Sequence, residues 1–207
     1  MTDMQFPPVI PVAALESLED GLKVCETLIA AGLPAIEVTF RTEAAEEIIR
    51  TATREFPDMV IGAGTVLTTD NLQRAMDAGA QFAVAPGLNP KVVQAAQQQS
   101  FPFFPGVCTP TDVECAVDLG CRRLKFFPAE AAGGVQWLKA LLGPYGHLGL
   151  EFCPTGGISA ENMTDYLALP EVFAIGGSWM AKKHLIGDWD QMIDKAKDAV
   201  ARAQSVT

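Results

Sequence analysis

Short runs rich in β-branched and aromatic residues alternate with helical stretches eight times along the chain. The strand-like runs are Val9 to Ala13, Ala35 to Thr39, Val60 to Thr65, Phe82 to Ala85, Phe103 to Val107, Arg123 to Phe127, Glu151 to Thr155 and Val172 to Gly176. Helical patterns fill Leu18 to Ala30, Ala44 to Phe56, Asn71 to Ala78 and Lys91 to Gln99, and a last helix runs from Trp189 to Ala203. Gly32, Pro57, Gly79, Gly120 and Gly143 stand where helices should stop. Strict alternation predicts a parallel sheet, and eight units predict an α/β fold of the closed (β/α)8, TIM-barrel kind rather than an open doubly wound sheet. At 207 residues the chain is shorter than the roughly 250 typical of that fold, so its loops must be lean. The expectation is one domain over residues 1–207, with a short N-terminal lead-in and a C-terminal closing helix. No G-x-G-x-x-G turn follows the first strand, which argues against dinucleotide binding.

Period-two alternation decides which strand residues face the barrel interior. In the second strand Glu37 and Thr39 share one face, opposite Ile36, Val38 and Phe40. In the sixth, Arg123, Lys125 and Phe127 oppose Leu124 and Phe126. The apolar sets belong against the helices, which sends Glu37 and Lys125 inward, where they could meet. Arg41 continues the parity of Glu37 to the C-terminal rim, and Thr65 and Thr155 end their strands at the same rim, where barrel active sites sit. A low-dielectric surround penalises the ammonium of a buried lysine, and neutral lysine is a nucleophile able to form a Schiff base with a ketone. Taken singly, a lysine between apolar strand residues is more often a rim or edge residue, and Glu37 with Arg41 an ordinary ion pair. Their convergence at corresponding strand positions is what points to proton transfer, imine formation and carboxylate binding.

Composition narrows the chemistry. The formal charge is −10 with no basic patch, which excludes nucleic acid and anionic membranes as expected partners. An anionic small molecule stays open, because salt confines the overall field to about 8 Å and local donors decide a site. His147 and His184 are the only histidines and lack metal-ligand spacing, so no metal is expected. Five cysteines, Cys25, Cys108, Cys115, Cys121 and Cys153, contain no C-x-x-C pair and read as reduced thiols. The N-terminus has neither a cationic start nor a long apolar stretch, so a cytoplasmic location is expected.

Pro154-Thr155-Gly156-Gly157-Ile158-Ser159 follows the seventh strand and Ile175-Gly176-Gly177-Ser178-Trp179 the eighth. Glycines there let backbone N–H groups approach an anion, and a short helix after each turn would add its positive end. Barrels commonly bind phosphate after strands seven and eight.

Across nearly the whole chain these residues resemble the class I 2-dehydro-3-deoxy-phosphogluconate (KDPG) aldolases, including the bifunctional KHG/KDPG members. The resemblance rests on Val9-Ile10-Pro11-Val12, Glu37-Val38-Thr39-Phe40-Arg41-Thr42-Glu43, Gly62-Ala63-Gly64-Thr65-Val66, Pro86-Gly87, Lys125-Phe126-Phe127-Pro128-Ala129-Glu130, Pro154-Thr155-Gly156-Gly157-Ile158 and Gly176-Gly177-Ser178-Trp179. It implies a homotrimeric lyase of the Entner-Doudoroff pathway, without a cofactor, that cleaves 2-dehydro-3-deoxy-6-phosphogluconate to pyruvate and glyceraldehyde 3-phosphate. Cleavage of 4-hydroxy-2-oxoglutarate to pyruvate and glyoxylate is the implied second activity. It also implies Lys125 as the Schiff-base lysine, Glu37 as acid/base, Arg41 and Thr65 on the pyruvate carboxylate, and Thr155 as the residue that reads hydroxyl stereochemistry. Gly156, Gly157, Gly176, Gly177 and Ser178 would take the phosphate, with Pro86 and Phe127 as further substrate contacts. Phe40, Ala85 and Cys108 depart from the family pattern, which touches fine substrate preference. Three alternatives remain: a sibling aldolase for 2-dehydro-3-deoxy-6-phosphogalactonate, a phosphosugar isomerase or epimerase on a similar barrel, and a non-catalytic phosphosugar-binding protein.

Overall fold

The computed structural model of the chain describes residues 4–206. It is an α/β fold in which every strand pairing is parallel. β1 (Val9–Ala13), β2 (Ala35–Thr39), β3 (Val60–Gly64), β4 (Phe82–Val84), β5 (Phe103–Phe104) and β9 (Ile175–Gly177) form a six-stranded sheet in the order β5-β4-β3-β2-β1-β9. β6 (Gly106–Val107), β7 (Arg123–Phe126) and β8 (Glu151–Pro154) form a second sheet of three strands. The run read as one strand from Phe103 to Val107 is two, because Pro105 has no N–H for the ladder. Its carbonyl still accepts from the Lys125 N–H at 2.9 Å. Across the other seam, isolated bridges pair Phe152 with Val172 and Thr155 with Gly176, and the Phe173 N–H donates to the Phe152 carbonyl at 3.1 Å.

The other strand ends shift too: β4, β7 and β8 each stop one residue before the run expected for them, and β3 and β9 also differ. β3 stops at Gly64 because Thr65 turns into the left-handed region at φ 58°. The last strand is displaced to Ile175–Gly177, leaving Val172 with only a bridge.

The helices pack outside. α1 (Leu18–Ala30) starts at Ser17, whose Oγ accepts from the Asp20 N–H at 3.1 Å. α2 (Ala45–Glu55), α3 (Thr69–Asp77) and α4 (Pro90–Gln98) follow, then α5 (Pro110–Asp118), whose start is closed by a reciprocal Thr109–Asp112 capping box. α6 (Gly134–Leu142), the short α7 (Met163–Leu167) and α8 (Trp189–Gln204) complete the set. Gly32, Gly79 and Gly120 adopt φ of 79°, 89° and 77° just past their helices. Gly143 instead stays right-handed at φ −47°; the reversal comes later, at Gly149, after a 3₁₀ turn that carries His147. Among the described residues no helix is long and apolar enough to cross a membrane.

Side-chain parity follows the pleat. Ile36, Val38, Leu124 and Phe126 pack outward into the main core with helix residues such as Val24, Leu28 and Ile48. The inner faces carry a second cluster, in which Ile10, Phe82, Val84 and Phe104 from the larger sheet meet Cys153 from the smaller one and Ala174 just before β9. Phe6, from the lead-in, stands edge-on to Phe82 at 5.1 Å between centroids, and Phe104 lies 5.6 Å from both Phe6 and Phe173. These rings make an aromatic floor. Truncating Phe82, which is 1 % exposed, is expected to cost about 3–5 kcal/mol of stability, read as an earlier denaturant midpoint for Phe82→Ala.

Candidate active site

One register row runs Val12, Glu37, Gly62, Phe82 across four strands. Glu37 therefore projects from the inner face between Val12 and a glycine. A Cβ on Gly62 would run into the Phe82 ring, and one on Gly64 would overlap the Glu37 carboxylate. The two glycines of Gly62-Ala63-Gly64 thus leave space for the floor and for the acid. Ala63, of opposite parity, joins the outer core.

On the facing sheet Lys125 lies between Gly106 and Cys153 in register. Its Nζ is 3.1 Å from both carboxylate oxygens of Glu37, 88 residues away in sequence. Lys125 is 5 % and Glu37 4 % exposed. The pair has two states with the same net charge, ammonium with carboxylate or amine with carboxylic acid, and the second puts no charge into the apolar interior. Moving one proton between the partners therefore interconverts an ion pair and a free nucleophile. The Phe127 ring closes one side, its centroid 5.9 Å from Nζ.

Around this pair the other expected residues are distributed as follows. Arg41 is exposed at the rim and donates through Nε to Thr39 Oγ1 at 3.1 Å; Thr39 in turn donates to the Ala13 carbonyl at 3.1 Å. Glu37 pairs with Lys125 rather than with Arg41. Thr65 is half-buried and left-handed, a conformation that a β-branched residue adopts only when its surroundings impose it. Thr155 is buried, donates to the Cys153 carbonyl at 3.4 Å, and fills the place of a Gly176 side chain. Pro86 is half-buried against Gly106, on which a Cβ would collide with the Pro86 carbonyl. No contact joins Pro86 or Thr65 to the Lys125–Glu37 pair among the described hydrogen bonds.

The two glycine pairs differ. Gly156 and Gly157 are left-handed turn residues at φ 101° and 81°; the Thr155–Gly176 bridge engages the Gly156 N–H, whereas the N–H groups of Gly157 and Ile158 meet no acceptor among the described residues. Gly176 and Gly177 belong to β9, and the space beside Gly177 is taken by the Trp179 ring; only Ser178 beyond them is exposed. Helix starts do not stand at either turn. α7 begins at Met163, and after β9 comes a turn followed by a 3₁₀ segment at Lys183–Leu185. The available anion donors are therefore backbone N–H groups of the turn itself.

The chain matches the family model for KDPG and KHG aldolases over residues 2–195. The chain belongs to the KDPG and KHG aldolase family. A 2-dehydro-3-deoxy-phosphogluconate aldolase of Haemophilus influenzae is 48 % identical over 89 % of this chain and 87 % of its own length. The KHG/KDPG aldolase of Escherichia coli is 43 % identical over 95 % and 92 %. Among solved structures, a KDPG aldolase from Legionella pneumophila, with pyruvate captured as a covalent carbinolamine intermediate, superposes with a TM-score of 0.88 at 39 % identity, covering 93 % of both chains. Membership in this family makes the chain an aldolase of the Schiff-base class, a lyase.

Three features of the site escaped the sequence pattern. Thr39, which ties Arg41 to β1, looks like an ordinary strand threonine. Gly64 reads as one residue of the third strand-like run and its motif, with no sign that its use is to leave room for the Glu37 carboxylate. Cys153 reads as a small core hydrophobe; in space it stands beside Lys125, where burial pushes its thiol up from 9.0 to about 12 and Glu37 adds to the rise against the opposing pull of Lys125.

Gly64→Ala leaves the strand intact but displaces the Glu37 carboxylate, so turnover should fall at least about tenfold while the circular dichroism spectrum is kept; near-normal turnover in a folded variant would count against this role. Cys25, like Cys153, is raised to about 12 by burial, whereas Cys115 is exposed. At pH 8 a thiol reagent should label Cys115 and spare Cys25 and Cys153. Since the unfolded chain releases these protons from pH 9 and the folded chain holds them toward pH 12, stability should fall through that window. The slope is about 1.4 kcal/mol per pH unit for each thiol. Cys153→Ala should reduce it.

Proposed function

We propose that the protein is a class I aldolase that reversibly cleaves 2-dehydro-3-deoxy-6-phosphogluconate to pyruvate and D-glyceraldehyde 3-phosphate, and that also accepts 4-hydroxy-2-oxoglutarate. The observation that carries this reading is the buried Lys125–Glu37 contact, with Nζ 3.1 Å from both oxygens in an otherwise apolar interior. The relatives named for this activity, and the carbinolamine captured in one of them, support it.

Lys125 as the free amine adds to the C2 ketone, and Glu37 as the acid gives the oxygen its proton. Loss of water from the carbinolamine leaves an iminium ion. Glu37, now a carboxylate, takes the proton of the C4 hydroxyl, directly or through water, as the C3–C4 bond breaks. The bonding electrons move into the iminium, the aldehyde departs, and an enamine remains. Protonation at C3 and hydrolysis release pyruvate and restore the amine. Arg41 and Thr65 at the rim hold the substrate carboxylate, a bidentate fork beside a hydroxyl. Thr155 reads the hydroxyl stereochemistry, and Phe127 and Pro86 bound the cavity. The phosphate meets the Gly156-Gly157 turn, through the free N–H groups of Gly157 and Ile158, together with Ser178, where Gly176 and Gly177 keep the end of β9 close.

The same reading takes the two sheets as one closed (β/α)8 barrel, joined through Pro105 on one side and through the Phe152–Val172 and Thr155–Gly176 bridges on the other. It takes residues 1–207 as a single domain, active in the cytoplasm as a homotrimer.

Borohydride added with pyruvate should trap a covalent adduct on Lys125. Lys125→Ala should abolish trapping, and an adduct on another lysine would reject the assignment. Glu37→Gln should stay folded and lose at least about a hundredfold in turnover, in line with general acid–base catalysis. An isomerase or a binding protein would give no adduct at all.

A further inference from the structure

We propose that Glu130 and Tyr166 form a positioning pair that holds the Gly156-Gly157-Ile158 turn at the height needed for the substrate phosphate, an inference that rests on the phosphate assignment above. The segment after β7 is zipped to this turn. The Ala129 N–H donates to the Thr155 carbonyl at 2.8 Å and the Glu130 N–H to the Gly156 carbonyl at 3.0 Å. The side chain of Glu130 then lies directly against Gly157, where a Cβ would come within 2.6 Å of the Glu130 Cβ and 2.8 Å of its Cγ. No residue but glycine fits over it.

The carboxylate of Glu130 does not turn toward the free N–H groups of the turn. It accepts a hydrogen bond from the hydroxyl of Tyr166, on α7. Tyr166 is fully buried, and Gly134 gives the pair room: a Cβ there would lie 3.2 Å from Glu130 Oε1 and 3.6 Å from Tyr166 Oη. Burial first, and the bond to Glu130 second, push the phenol up, so it remains a donor throughout the range in which an enzyme works. The far end of the turn is held independently. Asn162 accepts from the Ser159 N–H at 2.8 Å and donates to the Gly157 carbonyl at 3.3 Å.

This arrangement answers an electrostatic difficulty. A carboxylate next to an anion site repels the anion and competes for its donors. Engaging it with a buried hydroxyl directs its charge away from the turn and spends its acceptor capacity elsewhere, while its stem keeps Gly157 in place. Both effects act on binding of a phosphate and neither reaches the Lys125–Glu37 pair, so they should appear in KM and not in the chemical step.

The test measures Tyr166→Phe and Glu130→Ala with three probes: 2-dehydro-3-deoxy-6-phosphogluconate, its unphosphorylated analogue, and pyruvate undergoing C3 proton exchange in heavy water. For the phosphorylated substrate KM should rise roughly tenfold with kcat within about twofold of the parent, as expected for loss of a hydrogen bond to a charged group. Pyruvate exchange and the KM for the unphosphorylated analogue should be unchanged. Glu130→Gln, which keeps an acceptor for Tyr166, should recover most of the loss. Should Tyr166→Phe fail to fold, the Glu130 variants decide, since that side chain is outside the core. Unchanged KM for the phosphorylated substrate, or equal losses with all three probes, would overturn the positioning role. A parent protein with no preference for the phosphorylated substrate would instead overturn the phosphate assignment, and the positioning role with it.

Discussion

An amine and a carboxylate, each about one-twentieth exposed, face one another across an interior that is otherwise apolar. Burying either alone would leave an uncompensated charge at a cost of several kcal/mol, so each is tolerable only because the other is within hydrogen-bond reach. That constraint governs the surrounding sequence. Gly62 and Gly64 are small because the carboxylate and the floor need their volume, and Gly106 is small because Pro86 closes against it. The inner faces can carry two ionisable side chains because the outer faces, with Ile36, Val38, Leu124 and Phe126, supply the hydrophobic burial that holds the strands in place.

Depth along the strands divides the work. The aromatic rings of Phe6, Phe82, Phe104 and Phe173 pack against one another as a floor on the inner faces. The reactive pair occupies the next level. At the rim lie the groups suited to charged substrate ends: the exposed guanidinium of Arg41 on one side and the unpaired N–H groups of Gly157 and Ile158 on the other. A chain with formal charge −10 can thus offer an anionic substrate a favourable site, since short-range donors outweigh a screened net field. The Glu130–Tyr166 bond belongs to the same economy, removing one carboxylate from competition at the place where an anion would sit.

Much of this was legible from residue order. α1 begins and ends where the apolar periodicity says, because Ser17 supplies the N-terminal acceptor and Gly32 the left-handed exit. The inward parity of Glu37 and Lys125 follows from the pleat alone. The misreadings have local causes of another kind. Pro105 splits an apolar run whose composition is entirely strand-like, since the missing N–H matters only once a neighbouring strand asks for it. Gly143 ends α6 as expected but without the left-handed exit of the other helix-ending glycines, and Gly176 and Gly177 look like a turn but are strand residues pressed against Thr155 and Trp179. A glycine demanded by a close approach and a glycine demanded by positive φ are identical in a sequence.

The sequence by itself determined the alternation of elements, the faces on which the reactive residue types fall, and through its motifs the family. Those properties depend on dihedral preferences and periodicity within a few residues, so neighbours along the chain suffice to set them. Only the tertiary structure decided that Nζ of Lys125 rests on Glu37 rather than Arg41 doing so, that Thr39 anchors Arg41, that Cys153 stands beside the amine, and that Tyr166 reaches the Glu130 carboxylate beneath the Gly156-Gly157 turn. Each of these contacts joins residues brought together by strand register and by packing between layers, where the outcome depends on which side chains leave space and which fill it.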